Sequence, residues 1–261
     1  MGMGYLDALF SLQGKTAAVV GGGGVLGGAM AEGLARAGAA VAIVDPTCQK
    51  AIDRLKKIRD RDVPLLAVEI DATRRREVQR AVRTIQDRFG GVDILVNAPG
   101  VNSSTPFFDI KEEEWYRILD VNLKSMFLVC QEFGKVMLNQ KRGSSIINIS
   151  SASSGPPLSR VFTYSISKAG VNNLTQYLAR EWARSGVRVN AIAPGFFPAL
   201  QNRKILTDSR KKAIFSHTPM GRFGKPEELV GAVIWLASEQ ASSFVTGAVI
   251  RVDGGFTAMT I

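Results

Sequence analysis

Histidine and cysteine are nearly missing from this sequence: His217 is its one imidazole, and Cys48 and Cys130 are its two thiols. Two isolated thiols and one imidazole make neither a zinc cage nor a disulfide framework. Both cysteines are therefore expected reduced and partly buried, no metal is expected, and a metal-dependent hydrolase would lack ligands. Long apolar runs are also missing. The longest uncharged stretches, Thr16–Ala31 and Gly143–Ser159, are rich in Gly or Ser and fall short of a membrane span. The first residues show no basic-then-apolar leader pattern, and Asp7 interrupts them early. A soluble cytoplasmic protein with no membrane partner is expected. There is no Pro/Ser linker, composition break or fixed-period repeat, so residues 1–261 read as one domain.

What is present is ordinary for a globular chain, with 46% apolar and 21% charged residues, which excludes disorder and collagen-like structure. The net charge of +10 comes largely from two windows, Arg54–Arg88 and Arg203–Lys225. The first is interleaved with carboxylates, and the lone aromatic near it is Phe89, just past its end, so it reads as solvated helix surface. A nucleic-acid stripe would alternate bases with aromatics, so no nucleic-acid partner is expected. The second window is either solvated helix or a surface that steers an anionic substrate.

Short runs rich in Val or Ile recur at Thr16–Val20, Val41–Asp45, Leu65–Ile70, Val92–Asn97, Ser145–Ile149, Val187–Ile192 and Ala248–Val252. Continuous apolar runs of this length fit strands buried on both faces of a parallel sheet. Amphipathic stretches separate them, among them Leu26–Ala37, Arg74–Phe89, Glu112–Gln140 and Tyr164–Arg184. The alternation predicts an α/β fold: a doubly wound, Rossmann-type parallel sheet of about seven strands with helices on both faces.

The first predicted strand runs into Gly21–Gly24, followed by Val25, Leu26, Gly27 and Gly28 and then a helix. Strand, glycine turn and helix is the context a dinucleotide site requires. The glycines let the backbone approach a pyrophosphate, and the first helical N–H groups face its charge. Asp45 ends the second strand, where a carboxylate accepts hydrogen bonds from an adenosine ribose and repels a 2′-phosphate. No Lys or Arg follows before Lys50. NAD(H) is therefore expected over NADP(H). Asp71, ending the third strand, is placed either to reach the adenine edge or to cap the helix that follows.

Tyr164 and Lys168 lie four apart, one turn along a predicted helix. An ammonium beside a phenol favours the phenolate and lowers its pKa from about 10, suiting it to proton transfer at a carbonyl or alcohol. Ser150 and Ser151 follow the fifth predicted strand at its carboxyl end, where ligands bind in open parallel sheets.

From about Leu12 to Gly255 the chain resembles the short-chain dehydrogenase/reductases. The resemblance rests on Tyr164-Ser165-Ile166-Ser167-Lys168, on Ser151 standing 13 positions before Tyr164, and on Asn122 in Asp120-Val121-Asn122. It also rests on the Asn97-Ala98-Pro99-Gly100 turn, Pro194-Gly195, Val187-Arg188-Val189-Asn190 and Val252-Asp253-Gly254-Gly255. It implies a dinucleotide-binding half at about 12–150 and a catalytic half at about 151–261. Tyr164 would be the acid/base. Lys168 would tune it and hold the nicotinamide ribose, Ser151 would orient the substrate carbonyl, and Asn122 would hold a water linking Lys168 to solvent. Cofactor contacts are expected from Gly21, Gly24, Leu26, Gly27, Asp45, Asp71, Ala72, Asn97, Ala98, Pro99, Tyr164, Lys168, Pro194, Gly195 and Phe197.

The chain departs from the family pattern at Val20, Val25, Pro99 and Pro198-Ala199, which bears on cofactor affinity rather than on chemistry. Phe196–Met220 is expected to be a mobile cover. Around it, Gly195-Phe196-Phe197, Gln201-Asn202-Arg203 and Ser216–Phe223 resemble bacterial members acting on sugar acids, of the gluconate 5-dehydrogenase and mannonate/fructuronate oxidoreductase type. A carboxylate substrate asks for a cation, ideally a bidentate Arg, for which Arg160 and Arg203 are the candidates, with Ser151 at the carbonyl. The alternatives are a 3-oxoacyl-carrier-protein or general carbonyl reductase and, from another class, a non-catalytic NAD(H)-binding sensor or scaffold. Family likeness further implies a homotetramer. One interface would use the helices carrying Phe127, Leu128, Val129, Leu178 and Trp182, and a second Val233–Ala237 and Phe256–Ile261.

Overall fold

The computed structural model describes residues 4–58, 62–197 and 207–259. After a short helix α1 (Tyr5–Phe10) the chain forms β1 (Thr16–Val20), α2 (Val25–Arg36), β2 (Ala40–Asp45), α3 (Cys48–Ile58), β3 (Leu65–Glu69), α4 (Arg75–Phe89) and β4 (Ile94–Asn97). It continues with α5 (Glu112–Leu119), a π-helical turn (Asp120–Lys124), α6 (Ser125–Gln140), β5 (Ser144–Ile149), α7 (Phe162–Trp182) and β6 (Val187–Pro194). Then follow α8 (Asp208–Ser216), α9 (Val230–Ala237), α10 (Glu239–Ser242) and β7 (Val249–Val252). The strands match the predicted runs within two residues at each end.

All strand pairs are parallel, in the order β3-β2-β1-β4-β5-β6-β7. The order reverses between β1 and β4, and ligands of open parallel sheets bind at the carboxyl ends beside such a reversal. Register brings Val20 level with Val44 and Asn97, and Asn97 level with Asn148. The residues that follow these strands therefore share one edge of the sheet.

Strand alternation accounts for the continuous apolar runs. Ala17 and Val19 of β1 face one core with Met30 and Leu34 of α2 and Val233 of α9. Ala18 and Val20 face the other with Val78 of α4 and Phe133 of α6. A strand covered on both faces needs no polar side. Val233, Leu236 and Ala237 sit in the first core, and Leu128, Val129 and Leu178 are buried as well. These residues, expected at subunit interfaces, instead pack within their own chain because the sheet needs covering.

The expectation of one helix over 112–140 is corrected. Between α5 and α6 the bonding widens to a π turn, in which the Ser125 N–H reaches the Asp120 carbonyl. The Ser125 hydroxyl takes over the Val121 carbonyl at 2.5 Å. Such turns insert one extra residue and recur at functional sites; this one carries Asn122 into the interior. Among the described residues no helix is long and apolar enough to cross a membrane, and no cluster of side chains is fit to hold a metal ion.

Candidate active site

The chain leaves β1 and turns at Gly21, whose φ is +76°. A Cβ there would sit 2.8 Å from the Ala98 carbonyl oxygen. At Gly27 a Cβ would collide with the Gly21 carbonyl, so α2 rests on the turn only because that side chain is missing. Gly24 is the N-cap of α2 and no side chain caps the helix. The N–H groups of Val25, Leu26 and Gly27 thus lack intrahelical partners. Val25, a departure from the family pattern, is simply the first residue of α2. This is a cradle shaped for close approach by a phosphate.

Asp45 meets the same turn. Its carboxylate accepts the Gly23 N–H at 3.0 Å and the Thr47 N–H at 3.2 Å. Burial pushes its pKa up, and those two hydrogen bonds and Lys50 only partly offset this. Asp71 does not cap α4. Its Oδ1 accepts the Thr73 N–H and hydroxyl at 2.9 and 2.7 Å, while α4 starts later with Arg74 as an N-cap that has no side-chain bond. Ala72 packs against the second core.

Asn97 also differs from expectation. Its fully buried amide donates to the Met126 carbonyl at 3.3 Å and to Cys130 Sγ at 3.6 Å, away from the sheet edge. Its Oδ1 is buried without a partner. The Ala98 N–H is spent on Val20 (2.9 Å), and Pro99 has none. Gly100 then passes over the site: a Cβ there would lie 3.6 Å from Lys168 Nζ and 3.8 Å from Asn122 Oδ1.

The structure brings Ser151, Tyr164, Lys168 and Asn122 into one neighbourhood. Ser151 follows β5, and Tyr164 and Lys168 lie on α7. The Lys168 ammonium is buried, donates to the Ile149 carbonyl at 2.8 Å and sits 5.8 Å from the Tyr164 ring centroid. Asn122 pairs with Val101 like a short strand: Oδ1 accepts its N–H at 2.8 Å and Nδ2 donates to its carbonyl at 2.9 Å. Nδ2 also donates to the Ser167 hydroxyl at 3.1 Å, which in turn donates to the Tyr164 carbonyl at 2.6 Å. The π turn is thereby tied to the Tyr–Lys helix. Oδ1 keeps one lone pair, below Gly100 and near Lys168.

Electrostatics correct the expected tuning. Burial pushes the Tyr164 phenol above its ordinary value, against the hydrogen bond with Ser151. Burial likewise pulls Lys168 down to about 7. Desolvation disfavours both charged forms, and it outweighs a cation held on Ile149.

Gly195 bonds through its N–H to Val252 at 3.0 Å, and a Cβ there would sit 2.7 Å from the Asp253 Cα. Pro194 ends β6 level with Val252. Phe197 packs on the first core and lies against Gly224. Arg160 is exposed, with a left-handed φ of +64° and its carbonyl accepting from Thr105 at 3.0 Å. Arg203, Pro198 and Ala199 lie outside the described residues, as does most of the first part of the expected cover. The described remainder is tied down: the Met220 N–H bonds to Gly254 at 3.1 Å, and His217 meets Phe256 edge-on at 4.8 Å.

Three side chains escaped the sequence reading. Ser153 gives Ser151 Oγ both an N–H (3.2 Å) and a hydroxyl neighbour (3.1 Å). Lys50 and Arg54 of α3 lie along the glycine turn, where Arg54 donates to the Gly24 carbonyl at 3.1 Å. The Ser-Ala-Ser spacing at 151–153 was a usable signal for the first. The other two needed the path of α3.

A family model described as enoyl-(acyl carrier protein) reductase matches residues 24–257. An uncharacterised oxidoreductase, UxuB, of Bacillus subtilis (strain 168) is 41% identical, over 95% of this chain and 96% of its own. A gluconate 5-dehydrogenase from Burkholderia cenocepacia, solved with NADP and tartrate, is 33% identical with a TM-score of 0.93, covering 98% of this chain and 100% of that one. A Haemophilus influenzae protein assigned as a D-mannonate oxidoreductase, solved with NAD, is 35% identical with a TM-score of 0.92, covering 98% and 99%.

Proposed function

This chain belongs to the short-chain dehydrogenase/reductase family and is an NAD(P)-linked oxidoreductase of secondary alcohols and ketones, and we propose that its substrate is a sugar acid of the gluconate or mannonate/fructuronate type, handled with NAD(H) preferred. The observation that carries the reading is the meeting of Ser151, Tyr164 and Lys168 at the sheet edge that also holds the uncapped glycine turn. Two relatives of matching fold act, by name, on gluconate and mannonate. One was solved with NADP and the other with NAD. The preference for NAD(H) therefore rests on the Asp45 carboxylate alone.

The residues fit a dinucleotide. Gly21 and Gly27 form a cradle that a Cβ would fill, α2 offers uncapped N–H groups, and Asp45 stands beside Gly23. When bound, the nicotinamide supplies or takes the hydride. Tyr164 gives its phenolic proton to the carbonyl oxygen in reduction and takes it back in oxidation. Ser151 donates a hydrogen bond to that same oxygen and fixes its place. Lys168 holds the ribose side of the cofactor and returns protons to Tyr164, with Asn122 Oδ1 anchoring a water beneath Gly100. Burial favours the protonated phenol, the form in which Tyr164 donates during reduction.

Arg160 and Arg203 are proposed to take the substrate carboxylate. A cytoplasmic homotetramer is proposed; an exposed apolar set, Tyr116, Phe127, Ile166 and Tyr177, spread over α5, α6 and α7, supports self-association. Light scattering that finds a monomer at micromolar concentration refutes the assembly. The substrate reading is tested by NADH oxidation over a panel of keto-sugar acids, with acetoacetyl thioester as the contrast. Turnover confined to the thioester would favour a carrier-protein reductase instead.

A further inference from the structure

Arg160 holds a backbone conformation that arginine seldom takes. Its φ of +64° lies in the left-handed region, which is strained for a residue with a side chain and persists only where the surroundings impose it. Among the described residues Lys141 alone shares this feature outside glycine, and it is the C-cap of α6, where such a turn is ordinary. Arg160 stands instead two residues before α7. What imposes its turn is a strap, residues 101–107, that continues from Gly100. The Thr105 N–H donates to the Arg160 carbonyl at 3.0 Å. Phe107 meets Phe162 edge-on, with ring centroids 5.3 Å apart. The course of the strap is set in turn by α5. Glu114 lies half-buried there and uses both oxygens: Oε1 accepts the Ser103 hydroxyl at 2.7 Å, and Oε2 accepts the Thr105 hydroxyl at 2.8 Å. Hydrogen bonds to a carboxylate are about twice as strong as neutral ones. Thr105 is therefore gripped from two sides, by Glu114 through its hydroxyl and by Arg160 through its N–H. The start of the strap is tied separately, by Val101 on Asn122.

We propose that Glu114 is a positioning residue for substrate choice: by holding Ser103 and Thr105 it fixes the strap that keeps Arg160 in its left-handed turn, and so sets where the guanidinium meets a substrate carboxylate. The backbone conformation decides the direction in which a side chain leaves the chain, so a strap that slips releases Arg160 to the conformations arginine ordinarily takes. A bidentate arginine depends on that direction more than a point charge does. Glu114 touches no reacting atom. Its removal leaves Val101 on Asn122, so proton transfer at Tyr164 is expected unchanged. This inference rests on the reading of Arg160 as the carboxylate's partner, and the test separates the two.

The test is steady-state kinetics of the full chain on a keto-sugar acid that wild type reduces and on an uncharged ketone, with Glu114→Ala, Arg160→Ala and the two combined. Glu114→Ala raises KM for the keto-sugar acid about tenfold, the worth of a lost charge-assisted hydrogen bond. Its kcat, and both constants for the uncharged ketone, stay within about twofold of wild type. Glu114→Gln keeps an acceptor for one hydroxyl and donates to the other, and falls near wild type. Thr105→Val keeps the N–H to Arg160 and loses the hydroxyl, and moves KM the same way by less. In the combined variant Glu114→Ala adds less than about twofold to Arg160→Ala, as expected of residues acting through one contact. A raised KM in Arg160→Ala beside an unmoved one in Glu114→Ala refutes the proposal alone. Equal losses on both substrates, or full additivity in the combined variant, refute it too. If Arg160→Ala leaves the keto-sugar acid KM unmoved, the reading of Arg160 falls and the proposal with it. Circular dichroism checks folding, and should Glu114→Ala fail to fold, Thr105→Val carries the same comparison.

Discussion

Replacing Lys168 by Met removes a residue assigned to the chemistry and is expected to make the protein more stable. Lys168 is 3% exposed, and burial pulls its pKa from 10.5 to about 7. At about 1.4 kcal/mol per pH unit, that difference corresponds to roughly 4 kcal/mol of destabilisation at pH 7. Met fills similar space without a charge, but it leaves the Ile149 carbonyl without its 2.8 Å donor. That orphaned acceptor costs about 1–3 kcal/mol. The net expectation is a gain of about 2 kcal/mol, or roughly 4–8 °C in Tm for a domain of this size. The sign of the pH dependence follows by linkage. Unfolded lysine holds its proton up to about 10.5, whereas the folded site holds it only to about 7. Unfolding takes up a proton between those values, so wild-type stability rises with pH across that window. The variant lacks this slope, and its advantage shrinks as pH rises from 7 toward 10. Urea denaturation of both proteins at several pH values measures it. A Met variant less stable than wild type at pH 7, or a gain that ignores pH, refutes the reasoning.

Ser153→Ala is expected to lower kcat about tenfold with cofactor KM unchanged, because Ser151 loses the hydroxyl that fixes its own; Ser153→Thr restores it, and steady-state kinetics decide. Arg160→Ala raises KM for a keto-sugar acid about tenfold and leaves an uncharged ketone untouched; equal effects on both would remove Arg160 from the carboxylate. Asp45→Ser moves the NADPH/NADH ratio of kcat/KM upward by about tenfold or more, and an unmoved ratio would remove Asp45 as the discriminating group.

The sheet was legible because two buried faces leave a strand no room for polar residues, as in Ala17-Ala18-Val19-Val20. The glycine turn was legible because strand, glycines and helix follow one another directly. The π turn was not, since Asp120–Lys124 keeps an ordinary helical pattern and its extra residue shows only in the bonding of Ser125. The direction of Asn97 was hidden because both of its outlets, turn and core, suit an amide. Spacing placed Lys168 beside Tyr164 but carried no measure of how dry the site is, so the sign of the phenol's displacement was missed. Counting residues beyond Asp45 also missed Arg54, because α3 brings back across the turn what sequence distance separates.

The central claim is that the Tyr164 proton completes reduction of a carbonyl at this edge. Tyr164→Phe, assayed for NADH oxidation with a keto-sugar acid that wild type reduces, tests it most directly. The account predicts turnover reduced to background while NADH binding, read by fluorescence, stays intact. Turnover close to wild type in that variant would contradict it.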